Sequence, residues 1–145
     1  MKAQILATVA ASALLGACAT TPGGEIETMA DANTAGANIP QGTGYFASDS
    51  TLPFHAPDFS KISEDDYIPA FEQGMAIHKA EIDAIINNPE APTFSNTIVA
   101  LEKSGRMLGR VATVFFALTG SNTTDRLDEI NTEISPKLTA HSDSI

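Results

Sequence analysis

TFSNTIVALEKSGRMLGRVATVFFAL, residues 93–118, decides the fold of this chain. In its first half Ile98, Leu101, Leu108, Ala112 and Phe115 recur at steps of three, four and seven, the period of an amphipathic helix. The second half changes character. From Met107 to Leu118 the only charge is Arg110, while Val111, Val114, Phe115, Phe116 and Leu118 point all round a helical wheel. A helix that is apolar all round has to be covered on every side. The rest of the chain supplies only two more good helices, so further protein is expected to cover this one.

Working outward, Ser63-Glu64-Asp65-Asp66 opens the preceding helix, with carboxylates at the positive end of its dipole. Pro69 suits only its first turn. Ile68, Phe71, Met75, His78, Ile82 and Ile85 then form an apolar seam interrupted by His78, and Asn87-Asn88-Pro89 stops the helix. After a short Pro-containing turn, Thr93 or Ser95 caps the central helix, so the two form an antiparallel αα-hairpin. Gly105 and Gly109 stand four apart, and are expected as helix-packing residues that let the central helix approach the first closely. Glu102, Lys103, Arg106 and Arg110 exclude a membrane dimerisation motif there. Gly120 is expected to end the central helix. A third helix from about Thr124 carries Leu127, Ile130, Ile134, Leu138, His141 and Ile145, with a kink or a restart at Ser135 because of Pro136. The predicted fold is all-α, a helical hairpin plus a third helix. Ile145 leaves that last apolar stripe unfinished, a second sign that more helices are expected beyond it.

The N-terminal end reads as an address. MKAQILATVAASALLGAC has Lys2, an apolar run from Ile5 to Leu15, and small residues before Cys18, the parts of an export signal too short to span a bilayer. Leu15-Gly16-Ala17-Cys18 resembles a bacterial lipobox, which predicts cleavage after residue 17 and lipid attachment at Cys18. More than one acyl chain, at about 0.8 kcal/mol per buried CH₂, suffices for stable anchoring to a membrane. Ala19 in place of Asp implies the outer membrane, facing the periplasm. Residues 18–50, rich in Gly, Pro, Thr and Ala, read as a flexible tether to a domain over 51–145. Leu52, Phe54 and Phe59 are expected to pin the start of that domain to its surface.

Acidic residues outnumber Lys and Arg 18 to 8, giving a formal net charge of −10. Nucleic acid is therefore not an expected partner, since binding it takes clustered Lys and Arg. A single Cys excludes an internal disulfide. His55, His78 and His141 are far apart in sequence, and no H-E-x-x-H, C-x-x-C or EF-hand loop occurs. His78 reads as a polar member of its helix seam, and His141 with Asp143 as a solvated helix end. Glu64, Asp65 and Asp66, like Asp125, Asp128 and Glu129, belong to helix starts. No catalytic, cofactor-binding or metal-ligating residue is expected in this chain.

Five blocks carry a family likeness: LPFHAPDFSKI, DDYIPAFEQGMAIHKAEIDAI, NNPEAPTFSNTIVALEKSG, RVATVFFALTGSNT and ISPKLTAHSDSI. In order and spacing they resemble the N-terminal region of peptidyl-dipeptidases (dipeptidyl carboxypeptidases) of the thimet oligopeptidase family of zinc metallopeptidases. The resemblance implies a larger, mainly helical zincin-type enzyme. Zinc held by an H-E-x-x-H helix and a downstream Glu would cleave dipeptides from the C-termini of oligopeptide substrates. This region would be its first helical layer, walling the substrate channel, with the zinc site in a missing C-terminal catalytic region. The competing reading is a stand-alone helical envelope lipoprotein acting as a binding or structural module.

Overall fold

The computed structural model describes residues 38–145, which are helical and contain no strand. The predicted export signal, Cys18 and the first part of the predicted tether lie outside the described residues. Four helices follow a series of short single turns: α1 (Tyr67–Ile86), α2 (Ala100–Lys103), α3 (Arg106–Ser121) and α4 (Asp125–Asp143). The all-α expectation holds.

The capping signals act where the sequence places them. Asp66 accepts the backbone N–H of Ser63 at 2.8 Å, and the acidic turn Glu64–Asp66 runs straight into α1. Thr93 accepts from the Asn96 N–H while Asn96 accepts from the Thr93 N–H, a reciprocal pair that satisfies two donors at a helix start. Thr124 caps α4 by accepting from the Leu127 N–H at 3.1 Å. Pro136 sits inside α4 without a restart at Ser135. Gly120 lies within α3, which ends one residue later with Asn122 out of helical geometry.

The central stretch is not one helix. A wide turn, Phe94–Val99, leads into the single turn of α2, and the chain then breaks at Ser104 and Gly105. Ser104 is extended and Gly105 is left-handed at φ 69°, a conformation that Gly adopts without Cβ strain. The break rotates the expected stripe out of register. Met107, Val111 and Phe115 are buried, but Ile98 and Leu101 are exposed.

Three helices share one core. Tyr67, Phe71 and Ile77 of α1 meet Met107, Val111 and Phe115 of α3 and Leu127, Ile130 and Ile134 of α4. The buried line of α1 is therefore Tyr67, Phe71, Gly74 and Ile77, one position off the predicted seam, whose Ile82 and Ile85 are only partly buried. Phe115 packs edge-on against Tyr67 and Phe71, with ring centres 5.1 and 5.3 Å apart. α1 and α3 run antiparallel, since Phe71 meets Phe115 while Gly74 meets Leu108. α1 and α4 run parallel: Glu64 accepts from the Thr124 hydroxyl, Asp65 pairs with Arg126, and Glu72 with Lys137.

The tether boundary moves. Phe46 is buried in the core, with Ile39 and Tyr45 packed against it, so the folded part includes residues well before 51. Leu52, Phe54 and Phe59, expected to pin the start of the domain, are exposed and lie outside the core.

Candidate functional site

Arg110, the lone charge of the apolar stretch, organises the surface of α3. Its Nε donates to the Phe46 carbonyl at 3.0 Å and its Nη2 to the Ala47 carbonyl at 2.9 Å, while Nη1 pairs with Asp49 at 2.8 Å. One guanidinium thus satisfies two carbonyls and a carboxylate, which its planar fork suits. It straps residues 45–49 across α3. The strap continues to Asp58, whose backbone N–H donates to the Tyr45 hydroxyl at 2.6 Å.

Between this strap and α3 lies an open groove of about 500 Å³. Gly109, Thr113, Val114 and Ala117 form its floor, and Phe46, His55, Pro57 and Phe59 line its wall. Outside the groove, Phe116 of α3 lies beside the Phe71 and Phe115 rings yet remains 43% exposed. Beside the groove, Phe54 and His55 both adopt left-handed backbone (φ 59° and 56°), which costs non-glycine residues about 1–2 kcal/mol each. The ring of Phe54 stands wholly in solvent, while the His55 ring bonds through Nδ1 to the Ser50 carbonyl at 2.9 Å. The groove suits apolar side chains. Its one cation is already spent on the strap.

A second polar contact joins residues that sequence reading kept apart. His78 Nδ1 lies 3.0 Å from His141 Nε2, with the rings edge to face. Burial first, then the neighbouring His78 and Lys79, push the His141 imidazole below the usual histidine range. His141 is therefore not the solvated helix end expected. Among the described residues no group of three or more His, Cys, Asp or Glu side chains can hold a metal ion. The donor set for zinc is not present in them. Nor is any described helix long and apolar enough to cross a membrane.

The two predicted packing glycines divide. A Cβ on Gly105 would meet the His78 ring at 3.2 Å, and its N–H donates to Glu81 at 2.7 Å. A Cβ on Gly109 would meet nothing within 4 Å, because Gly109 faces the open groove rather than α1. The close backbone approach is made instead by Gly74, where a Cβ would lie 3.0 Å from the Leu108 Cα. Gly74 belongs to the buried line of α1, between Phe71 and Ile77, a line that the predicted seam missed by one position.

No family model matches the chain. It is 46% identical over 96 residues to a dipeptidyl carboxypeptidase of Salmonella typhimurium, a match covering 66% of this chain and 14% of that protein. It is 48% identical over 93 residues to the Escherichia coli dipeptidyl carboxypeptidase, covering 64% of this chain and again 14% of the relative. About two-thirds of the chain is thus homologous to a segment of proteins named dipeptidyl carboxypeptidase, and it spans about one-seventh of their length.

Proposed function

We propose that this chain is the N-terminal region of a zinc metallopeptidase of the thimet oligopeptidase family that releases C-terminal dipeptides from oligopeptides. Its helices wall the substrate channel and supply no catalytic residue. The observation that carries this reading is identity of 46–48% to two dipeptidyl carboxypeptidases over about two-thirds of the chain. The groove and the exposed Phe116 support it, since each large apolar side chain left in water forgoes about 1.5–3 kcal/mol of burial. A larger peptidase body would cover that face and carry the zinc ligands. The lipobox-like Leu15–Cys18 supports attachment through Cys18 at the outer membrane, facing periplasmic peptides.

A chimera tests the reading. The N-terminal segment of the Escherichia coli relative that includes the match is replaced by residues 38–145 of this chain, and dipeptide release from an oligopeptide is followed by mass spectrometry. The chimera should fold and release C-terminal dipeptides. A folded, zinc-loaded chimera without that activity contradicts the assignment, and dipeptide release by the 145-residue chain alone contradicts the absence of catalytic residues.

A further inference from the structure

We propose that the His78–His141 contact is an acid-released clasp that holds the C-terminal turns of α4 on α1. The inference rests on the geometry of the described helices and is independent of the peptidase assignment. The last fully buried side chain of α4 is Ile134; beyond it only Leu138 is packed against the core. Lys137 reaches Glu72 at 2.7 Å, but that pair is solvent-exposed and contributes little. The imidazole contact at residue 141 is thus the outermost attachment of the helix end that the structure shows.

At 3.0 Å one ring nitrogen must carry a proton and the other must offer a lone pair. The pair can be neutral, or can share one proton. A second proton leaves two N–H groups facing each other and adds two like charges in a partly buried place. No third His, Cys, Asp or Glu completes a metal site around the rings among the described residues. On α1, Lys79 adds positive charge near His141 and is itself paired with Asp83 at 3.2 Å, while Glu81 is engaged by the Gly105 N–H. At the α2–α3 junction Gly105 covers the His78 ring, flanked in sequence by Lys103 and Arg106. α4 itself contributes Lys137 and Asp143 on either side of His141.

The direction follows. A histidine held below its ordinary value near 6.5 is neutral in both folded and unfolded chains at higher pH, where the attachment is fully present. As pH falls below that value the unfolded or undocked form takes up protons first. The attachment weakens until pH passes the lowered value of the docked ring.

Hydrogen exchange of the full 145-residue chain at pH 7.5 and pH 5, corrected for intrinsic rates, reads this out. Protection of residues 137–143 should fall by about tenfold for each pKa unit of depression, while the core of α1 and α3 is unchanged. His141→Gln and His78→Gln should each remove the difference between the two pH values. Equal protection at both pH values, or a pH-dependent loss that persists in both variants, overturns the clasp. NMR titration of the unsubstituted chain supplies a check that needs no variant. The His141 imidazole should titrate below the ordinary histidine range, and a His141 titrating at or above about 6.5 would refute it.

Discussion

Gly74 of α1 lies against the backbone of Leu108 of α3, so closely that a Cβ at position 74 would sit 3.0 Å from the Leu108 Cα and 3.1 Å from its nitrogen. Because the obstacle is backbone, it cannot swing aside as a side-chain tip would. Gly74→Ala should separate the helices and destabilise the chain by about 1–3 kcal/mol, despite the better helix propensity of Ala. Urea unfolding followed by circular dichroism measures this, and unchanged stability would show that the two helices can shift freely.

Phe115 is fully buried and touches aromatic rings of α1 on two sides. Phe115→Ala should cost about 3–5 kcal/mol, from lost burial and the cavity left behind. Phe116→Ala, one residue away and 43% exposed beside the Phe71 and Phe115 rings, should cost less. Thermal melts of the two variants side by side distinguish core from outer face.

Tyr67 carries a hydroxyl that is buried without a hydrogen-bond partner among the described residues. Burial, with Glu64 and Asp66 nearby, pushes its pKa above the usual tyrosine value, so it stays neutral at physiological pH. Removing an unpaired buried polar group relieves a desolvation penalty of about 1–3 kcal/mol. Tyr67→Phe should therefore leave stability unchanged or raise it. A clear loss in a melting experiment would reveal a partner for that oxygen.

Arg110→Met keeps most of the apolar stem and deletes the three strap contacts. The two buried-side carbonyls of Phe46 and Ala47 then lose their donor. Limited proteolysis should cut within residues 44–59 many times faster, while α1, α3 and α4 stay protected. Equal cleavage of variant and parent would mean that Phe46 alone fastens the strap.

The sequence was most legible where a single local rule governs. Thr93 and Thr124 cap as their hydroxyls and positions require, and the acidic start of α1 sits at the positive end of a helix. It was least legible where two distant segments meet. Nothing local distinguishes Gly74, which meets a backbone, from Gly109, which meets open space. His78 and His141, 63 residues apart, come together only because α1 and α4 run parallel, a relationship no helical period encodes. The break at Gly105 was masked because the apolar spacing on both sides still fits one helix on paper. Arg110 was visible as an anomaly, a lone cation in an apolar run, but its three acceptors lie 61 to 64 residues earlier.

The left-handed Gly105 also marks a joint between two helical pieces. Residues 94–103 carry Phe94, Ile98 and Leu101 outward, and the chain changes direction at Ser104 and Gly105, where the Gly105 N–H is held by Glu81 at 2.7 Å and α2 touches α1. Releasing that bond to a charged acceptor costs about 1.5–3 kcal/mol, far less than unpacking Met107 or Val111 would. The junction is thus fastened more weakly than α3 itself, and Glu81→Ala should raise hydrogen exchange in 94–103 before that of α3.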